Sequence, residues 1–174
     1  GMEINTSEEV HAVCLFPNLE AALCFDSYVY GKLIRFPNNE AIFGKQQIYN
    51  EQDQVCGTEP NLLINATEIS FDGLWELVRS YGGVMFPAHV DKTANSLIAN
   101  LGFIPPDSRF RTAEVKDLKK LHQLQKDNPY LDKCRIISNS DAHYLEHMNE
   151  PELTLQVEEK TVQGIIDALL DGAG

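Results

Sequence analysis

Seven consecutive residues, Val10-His11-Ala12-Val13-Cys14-Leu15-Phe16, carry one strongly polar side chain among them, the imidazole of His11. So short an apolar run reads as a strand. It has almost no polar alternation with which to tolerate water, so it demands packed partners on both faces. A layered α/β fold supplies such partners.

The rest of the chain is patterned to provide them. Met2–Thr6 predicts a first strand. After Pro17, Asn18 is placed to cap a helix, and Leu19, Ala22, Leu23, Val29, Tyr30 and Leu33 recur at three- and four-residue spacing to about Leu33. The segment Phe36–Ala66, broken by Pro37, Gly44, Gly57 and Pro60, reads as an irregular excursion or hairpin with β-like pieces at Gln47–Tyr49 and Leu62–Asn65. Ser70 caps a helix with Phe71, Leu74, Trp75, Val78 and Tyr81 on one face, closed by Gly82-Gly83. Val84–Ala88 then reads as a buried strand ending at His89. A helix from about Ala94 to Leu101, a strand near Thr112–Val115 and a helix marked by Leu118, Leu121 and Leu124 follow. Cys134–Ser138 and Leu153–Val157 read as strands, and Val162, Ile165, Ile166, Leu169 and Leu170 mark a closing helix. Strands alternating with helices predict a mainly parallel sheet, open or closed into a barrel, in one domain over residues 1–174.

Composition narrows the function. Hydrophobic residues at 43% and charged residues at 23% exclude a disordered or collagen-like chain. No stretch approaches the ~20 apolar residues of a membrane helix, and no secretory leader pattern opens the chain, so no membrane partner is expected. The 14 basic and 26 acidic residues give a net charge of −12, which disfavours binding to a nucleic-acid backbone. A phosphate-bearing substrate would need local neutralisation, and a bound metal would supply it. Cys14, Cys24, Cys56 and Cys134 lie far apart with no CxxC pair, which predicts buried free thiols and a cytoplasmic protein.

In parallel α/β folds the site gathers at the carboxyl ends of strands. That rule sorts the polar residues. His89 follows one strand, Asp141 and His143 follow another, and Glu3 and His11 sit in the two N-terminal strands. Imidazoles and carboxylates without thiolate suit Zn²⁺, Mn²⁺ or Fe. The Asp141-Ala142-His143 spacing would place both polar groups on one side of an extended segment. His122, in mid-helix, and His147, in a later loop, fall outside the group.

Three segments carry a resemblance. Gly1-Met2-Glu3-Ile4-Asn5-Thr6-Ser7-Glu8-Glu9-Val10-His11, Phe86-Pro87-Ala88-His89-Val90-Asp91-Lys92 and Ser138-Asn139-Ser140-Asp141-Ala142-His143-Tyr144-Leu145 resemble, in order, the later motifs of the PHP (polymerase and histidinol phosphatase) family of metal-dependent phosphoesterases. The resemblance implies an incomplete, distorted, seven-stranded β/α barrel of PHP type, lacking its N-terminal strands. It implies divalent metals held by Glu3, His11, His89, Asp141 and His143, with Asp141 and His143 also catalytic and Glu3 bridging metals. In such a site the metals activate water against a small-molecule phosphoester, and Lys92, three residues after His89, is the candidate phosphate anchor.

The family's N-terminal H-x-H is absent from this sequence. Relative to the family pattern, roughly the first quarter to third of a barrel is missing, which predicts impaired hydrolysis. The alternatives are a non-catalytic metal-binding remnant and a binding module of similar fold. An unclosed barrel would also leave an open strand edge near Met2–Thr6, and that edge predicts association into a two-fold homodimer.

Overall fold

The computed structural model describes residues 1–151 and 153–172. Strand β1 (Met2–Asn5) pairs antiparallel with β2 (His11–Leu15), with Glu3 opposite Val13 and Asn5 opposite His11. The carboxamide of Asn18 accepts the Ala21 N–H and starts helix α1 (Leu19–Lys32). An exposed excursion follows, with the short helix α2 (Glu40–Phe43) and the hairpin β3 (Gln47–Tyr49) and β4 (Val55–Thr58). Leu62–Asn65 is a turn rather than a β-piece, closed by the Asn65 N–H on the Leu62 carbonyl.

Helix α3 (Phe71–Ser80) begins at Ser70, whose hydroxyl accepts the Gly73 N–H, and buries Phe71, Leu74 and Val78. Gly82, at φ 71°, ends it. Gly83 then passes so close to β2 that a Cβ there would stand 2.5 Å from the Leu15 carbonyl oxygen, which demands glycine. Strand β5 (Val84–Pro87) is buried throughout and pairs antiparallel with β2, Phe86 opposite Val13. Helix α4 (Leu97–Leu101), strand β6 (Thr112–Glu114), helix α5 (Leu121–Asp127), strand β7 (Arg135–Ile137) and helix α6 (Val162–Asp171) complete the chain.

The sheet β1-β2-β5 is covered on both sides, as the apolar run of β2 demands. Ile4, Ala12, Cys14 and Met85 enter the main core with Phe25, Leu74, Phe110 and Leu131. Val13, Leu15, Val84 and Phe86 pack instead against Ile166 and Leu169 of α6. Glu3 and His11 share the alternation of Val13, so they lie on this second face.

The expected mainly parallel, incomplete barrel is not what forms. The strands make three short sheets, β1-β2-β5 and β3-β4 antiparallel and β6-β7 parallel, with no closed barrel among the described residues. The reason lies in the connections. Parallel neighbours need a crossover of about a dozen residues or more, and residues 6–10 between β1 and β2 allow only a tight reversal. Strands β6 and β7, joined through α5, do pair in parallel, but β5 runs antiparallel to β2 although helices lie between them.

Two local expectations also change. Residues 153–157 form no strand; Leu155 packs against the Val84–Phe86 cluster without joining a ladder. Helix α1 keeps Ala22, Val29 and Leu33 of the expected face inward but turns Leu19 and Leu23 out and Phe25 in. Leu19 is 72% exposed, and Phe25 is buried with its ring 4.5 Å from that of Phe16. Burying one aromatic ring removes more apolar area from water than burying either leucine. Among the described residues no helix is long and apolar enough to cross a membrane.

Candidate metal centre

The backbone brings His11 and His89 side by side. The Ala88 N–H donates to the His11 carbonyl, extending the β2–β5 ladder one residue past β5, and His89 follows at once. Glu3, opposite Val13 on β1, is the diagonal neighbour of His11 on the same face. One hairpin and a turn far along the chain, with His89 86 residues from Glu3, thus deliver three side chains to one point.

Glu3 Oε1 lies 2.6 Å from His11 Nδ1 and 3.3 Å from His89 Nε2, and the two rings are 5.3 Å apart between centroids. Taking one ligand atom from each, the three fall within 4.8 Å of one another. His89 is 1% exposed. His11 and then His89 hold the Glu3 carboxyl well below the usual carboxylate range, outweighing its partial burial.

Two features suit these residues to a divalent ion. Two imidazoles and one carboxylate form a donor set for Zn²⁺, Mn²⁺ or Fe, with an open side toward solvent at Glu3. His89 Nδ1 is buried without a hydrogen-bond partner, and the His11 Nδ1–Glu3 approach, though close, lies outside hydrogen-bond geometry. Imidazoles buried for packing alone normally have their nitrogens satisfied. His89 also sits at φ 30°, an unfavourable conformation for a non-glycine residue, held by the Val90 N–H on the Glu114 carbonyl and the Lys92 N–H on its own carbonyl.

Asp141 and His143 follow β7 beside this cluster but do not join the three-residue group. The segment is not extended at Asp141, which has φ 50°, so the one-sided D-x-H geometry does not form. Asp141 is 11% exposed and His143 80% exposed, with His143 Nε2 3.7 Å from Asp141 Oδ1. Asp141 Oδ2 lies 2.6 Å from Lys92 Nζ. Burial works to raise the Asp141 carboxyl, but the Lys92 ammonium outweighs it and leaves it below its ordinary value. His122 and His147 are exposed elsewhere.

Two neighbours were not foreseen from the sequence. Glu114, at the end of β6, is buried, and the Asn139 amide donates to its Oε2 at 3.1 Å. Burial pushes its carboxyl up, and the charges of His89, Glu3 and Asp141 bear on it. Lys116 follows two residues later, its Nζ 3.7 Å from Asp141 Oδ2. Both stand at a strand end, and that placement was the available signal. A cavity of about 430 Å³ lined by Val13, Phe86, Ile137, Asn139 and Leu155 opens on the face that carries His11.

No protein-family profile matches the sequence, and no curated protein matches it. The fold is similar to that in the crystal structure of the lesion-specific endonuclease PfuEndoQ from Pyrococcus furiosus, with a TM-score of 0.56 at 16% sequence identity. The likeness covers 99% of this chain and 38% of that one, so the chain spans well under half the length of that protein. What it shows is a shared fold.

Proposed function

We propose that this chain is a metal-dependent hydrolase of phosphate esters, with its divalent ion held by Glu3, His11 and His89. The observation that carries the reading is the convergence of that donor set, 86 residues apart in sequence, with a buried imidazole at its centre. The fold likeness supports it, because PfuEndoQ is an endonuclease and endonucleases act on phosphate esters. Zn²⁺, Mn²⁺ or Fe bound there would supply Lewis acidity toward a phosphoryl oxygen and an attacking water.

The chain's own groups have distinct parts. Glu3, its carboxyl held below the ordinary range by its imidazole neighbours, presents negative charge to the cation. Lys92 faces the anionic substrate. In this reading His143, 80% exposed and 3.7 Å from Asp141, exchanges a proton with the leaving group. The substrate is a small phosphoester, because a surface of net charge −12 repels a polyanion while Lys92 and Lys116 offer positive charge to a single phosphoryl group.

A second reading, metal binding without turnover, has its own support: Asp141 is engaged by Lys92, and His143 points to solvent. Chelator-stripped protein reloaded with Mn²⁺ or Zn²⁺ and assayed on p-nitrophenyl phosphate and its diester separates the two. Metal-dependent turnover lost in His89→Ala supports the hydrolase. Stoichiometric metal with no turnover supports the binding protein, and failure to bind metal overturns both.

A further inference from the structure

Asp141 is already neutralised within the protein. Its Oδ2 meets Lys92 Nζ at 2.6 Å and Lys116 Nζ at 3.7 Å, and only 11% of the side chain is exposed. Two ammonium groups thus converge on one carboxylate, in a chain whose total charge is −12. Both lysines are roughly 40% exposed, so their charged ends remain open to a ligand.

Their convergence is built by the backbone. The Lys92 N–H donates to the His89 carbonyl, which ties Lys92 to the turn carrying the buried histidine. Next to it, the Asp91 carboxylate accepts the Lys116 N–H at 2.8 Å and the Asp117 N–H at 2.9 Å. The Val90 N–H donates to the Glu114 carbonyl, and the Val115 N–H to the Ile137 carbonyl. The loops after β5, β6 and β7 are therefore stitched to one another, with a lysine from each of the first two aimed at the aspartate of the third.

We propose that Lys92 and Lys116 form an anion-holding pair beside the Glu3–His11–His89 centre and act in place of a second divalent ion. Their ligand is the phosphoryl group of a phosphate ester. The inference rests on the phosphoesterase reading and assigns its substrate charge to named residues. On binding, phosphoryl oxygens take the N–H donors of the two ammonium groups that Asp141 leaves free, so Asp141 keeps its lysines and no proton need move. Because the lysines satisfy Asp141, the centre takes one divalent ion per chain.

Inorganic phosphate is the probe, measured by equilibrium dialysis on the full chain in chelator and again with Mn²⁺, while Mn²⁺ content is counted by elemental analysis. The expected result is phosphate binding without metal, weakened at least about tenfold in Lys116→Met, the loss of one charge-assisted hydrogen bond. Lys92→Met/Lys116→Met should lose it entirely, and Lys116→Arg should retain it. Manganese should stand at one ion per chain in the wild type and rise above one in the double variant, where Asp141 is unmasked. Lysine-independent phosphate binding, or two ions per wild-type chain, overturns the proposal. Lys116 is a half-exposed surface residue, so its single variants test the pair even where the double variant fails to fold. Lysine-dependent phosphate binding with no turnover on any ester would count against the hydrolase and leave the anion pair standing.

Discussion

Glu3 Oε1 lies 2.6 Å from His11 Nδ1 because the β1–β2 register makes the two residues diagonal neighbours on one face. The sheet, rather than a flexible loop, therefore sets the spacing of the first two candidate ligands, while the strained turn after β5 sets the third. Such a site is organised before any ion arrives.

Metal affinity should follow this geometry. Glu3→Gln, His11→Ala and His89→Ala should each weaken Zn²⁺ binding by more than the about 10–100-fold typical of an outer partner. Asp141→Asn should change it by less than about threefold, as expected for a carboxylate bonded to lysine outside the donor set. Competition with a chromogenic chelator measures all four. A collapse of affinity in Asp141→Asn alone would mean that the ion sits nearer β7.

The inward face of α1 gives a stability test. Phe25→Ala removes a buried ring that packs on Phe16 and Tyr81 and should cost roughly 3–5 kcal/mol. In a chain of this size that lowers Tm by roughly 6–20 °C. Leu19→Ala, at 72% exposure, should stay within about 0.5 kcal/mol of the wild type. Thermal melts of the two variants compare the faces directly, and equal losses would restore the leucine face suggested by spacing.

This contrast also shows what local pattern can reveal. Strand and helix positions were legible where punctuation was strong: Asn18, Ser70 and Gly82 act where expected, and β2 is buried on one face and half-buried on the other. Strand direction was not legible. The βα alternation of the sequence suited a parallel barrel, whereas the short link 6–10 dictates antiparallel pairing of β1 with β2, and β5 also runs antiparallel to β2. At the site, strand-end placement grouped Glu3, His11, His89, Asp141 and His143, of which the fold gathers the first three into one donor set. It could not reveal that Asp141 turns into a left-handed conformation and meets lysines, because that depends on the stitched loops.

The cysteines divide in a way their spacing did not suggest. All four are free, but Cys24 and Cys56 are exposed while Cys14 and Cys134 are buried. Burial pushes the Cys134 thiol up to about 12 and the Cys14 thiol higher still, so neither supplies thiolate near neutral pH. Ellman's reagent should titrate two thiols rapidly in the native protein and four in denaturant. Rapid native reaction of all four would show that the core opens readily around Cys14.

Glu114 gives the molecule a pH dependence of defined sign. Its carboxyl is buried, its pKa is raised above the ordinary value by that burial, and the Asn139 amide is its side-chain partner. A raised folded-state pKa means that the native metal-free protein holds this proton more tightly than the unfolded chain does. The stabilisation it brings is therefore fully present below the ordinary glutamate value and is lost as pH rises through the folded one. At neutral pH the buried charge opposes folding. Glu114→Gln cannot ionise, yet its side-chain oxygen still accepts the Asn139 hydrogen bond. It should raise Tm of chelated protein at pH 7, and the gain should vanish toward pH 4. Melts across that range decide the matter: a gain that is constant with pH would assign the effect to packing, and a loss at pH 7 would mean that the ionised carboxylate holds the β6 and β7 loops together.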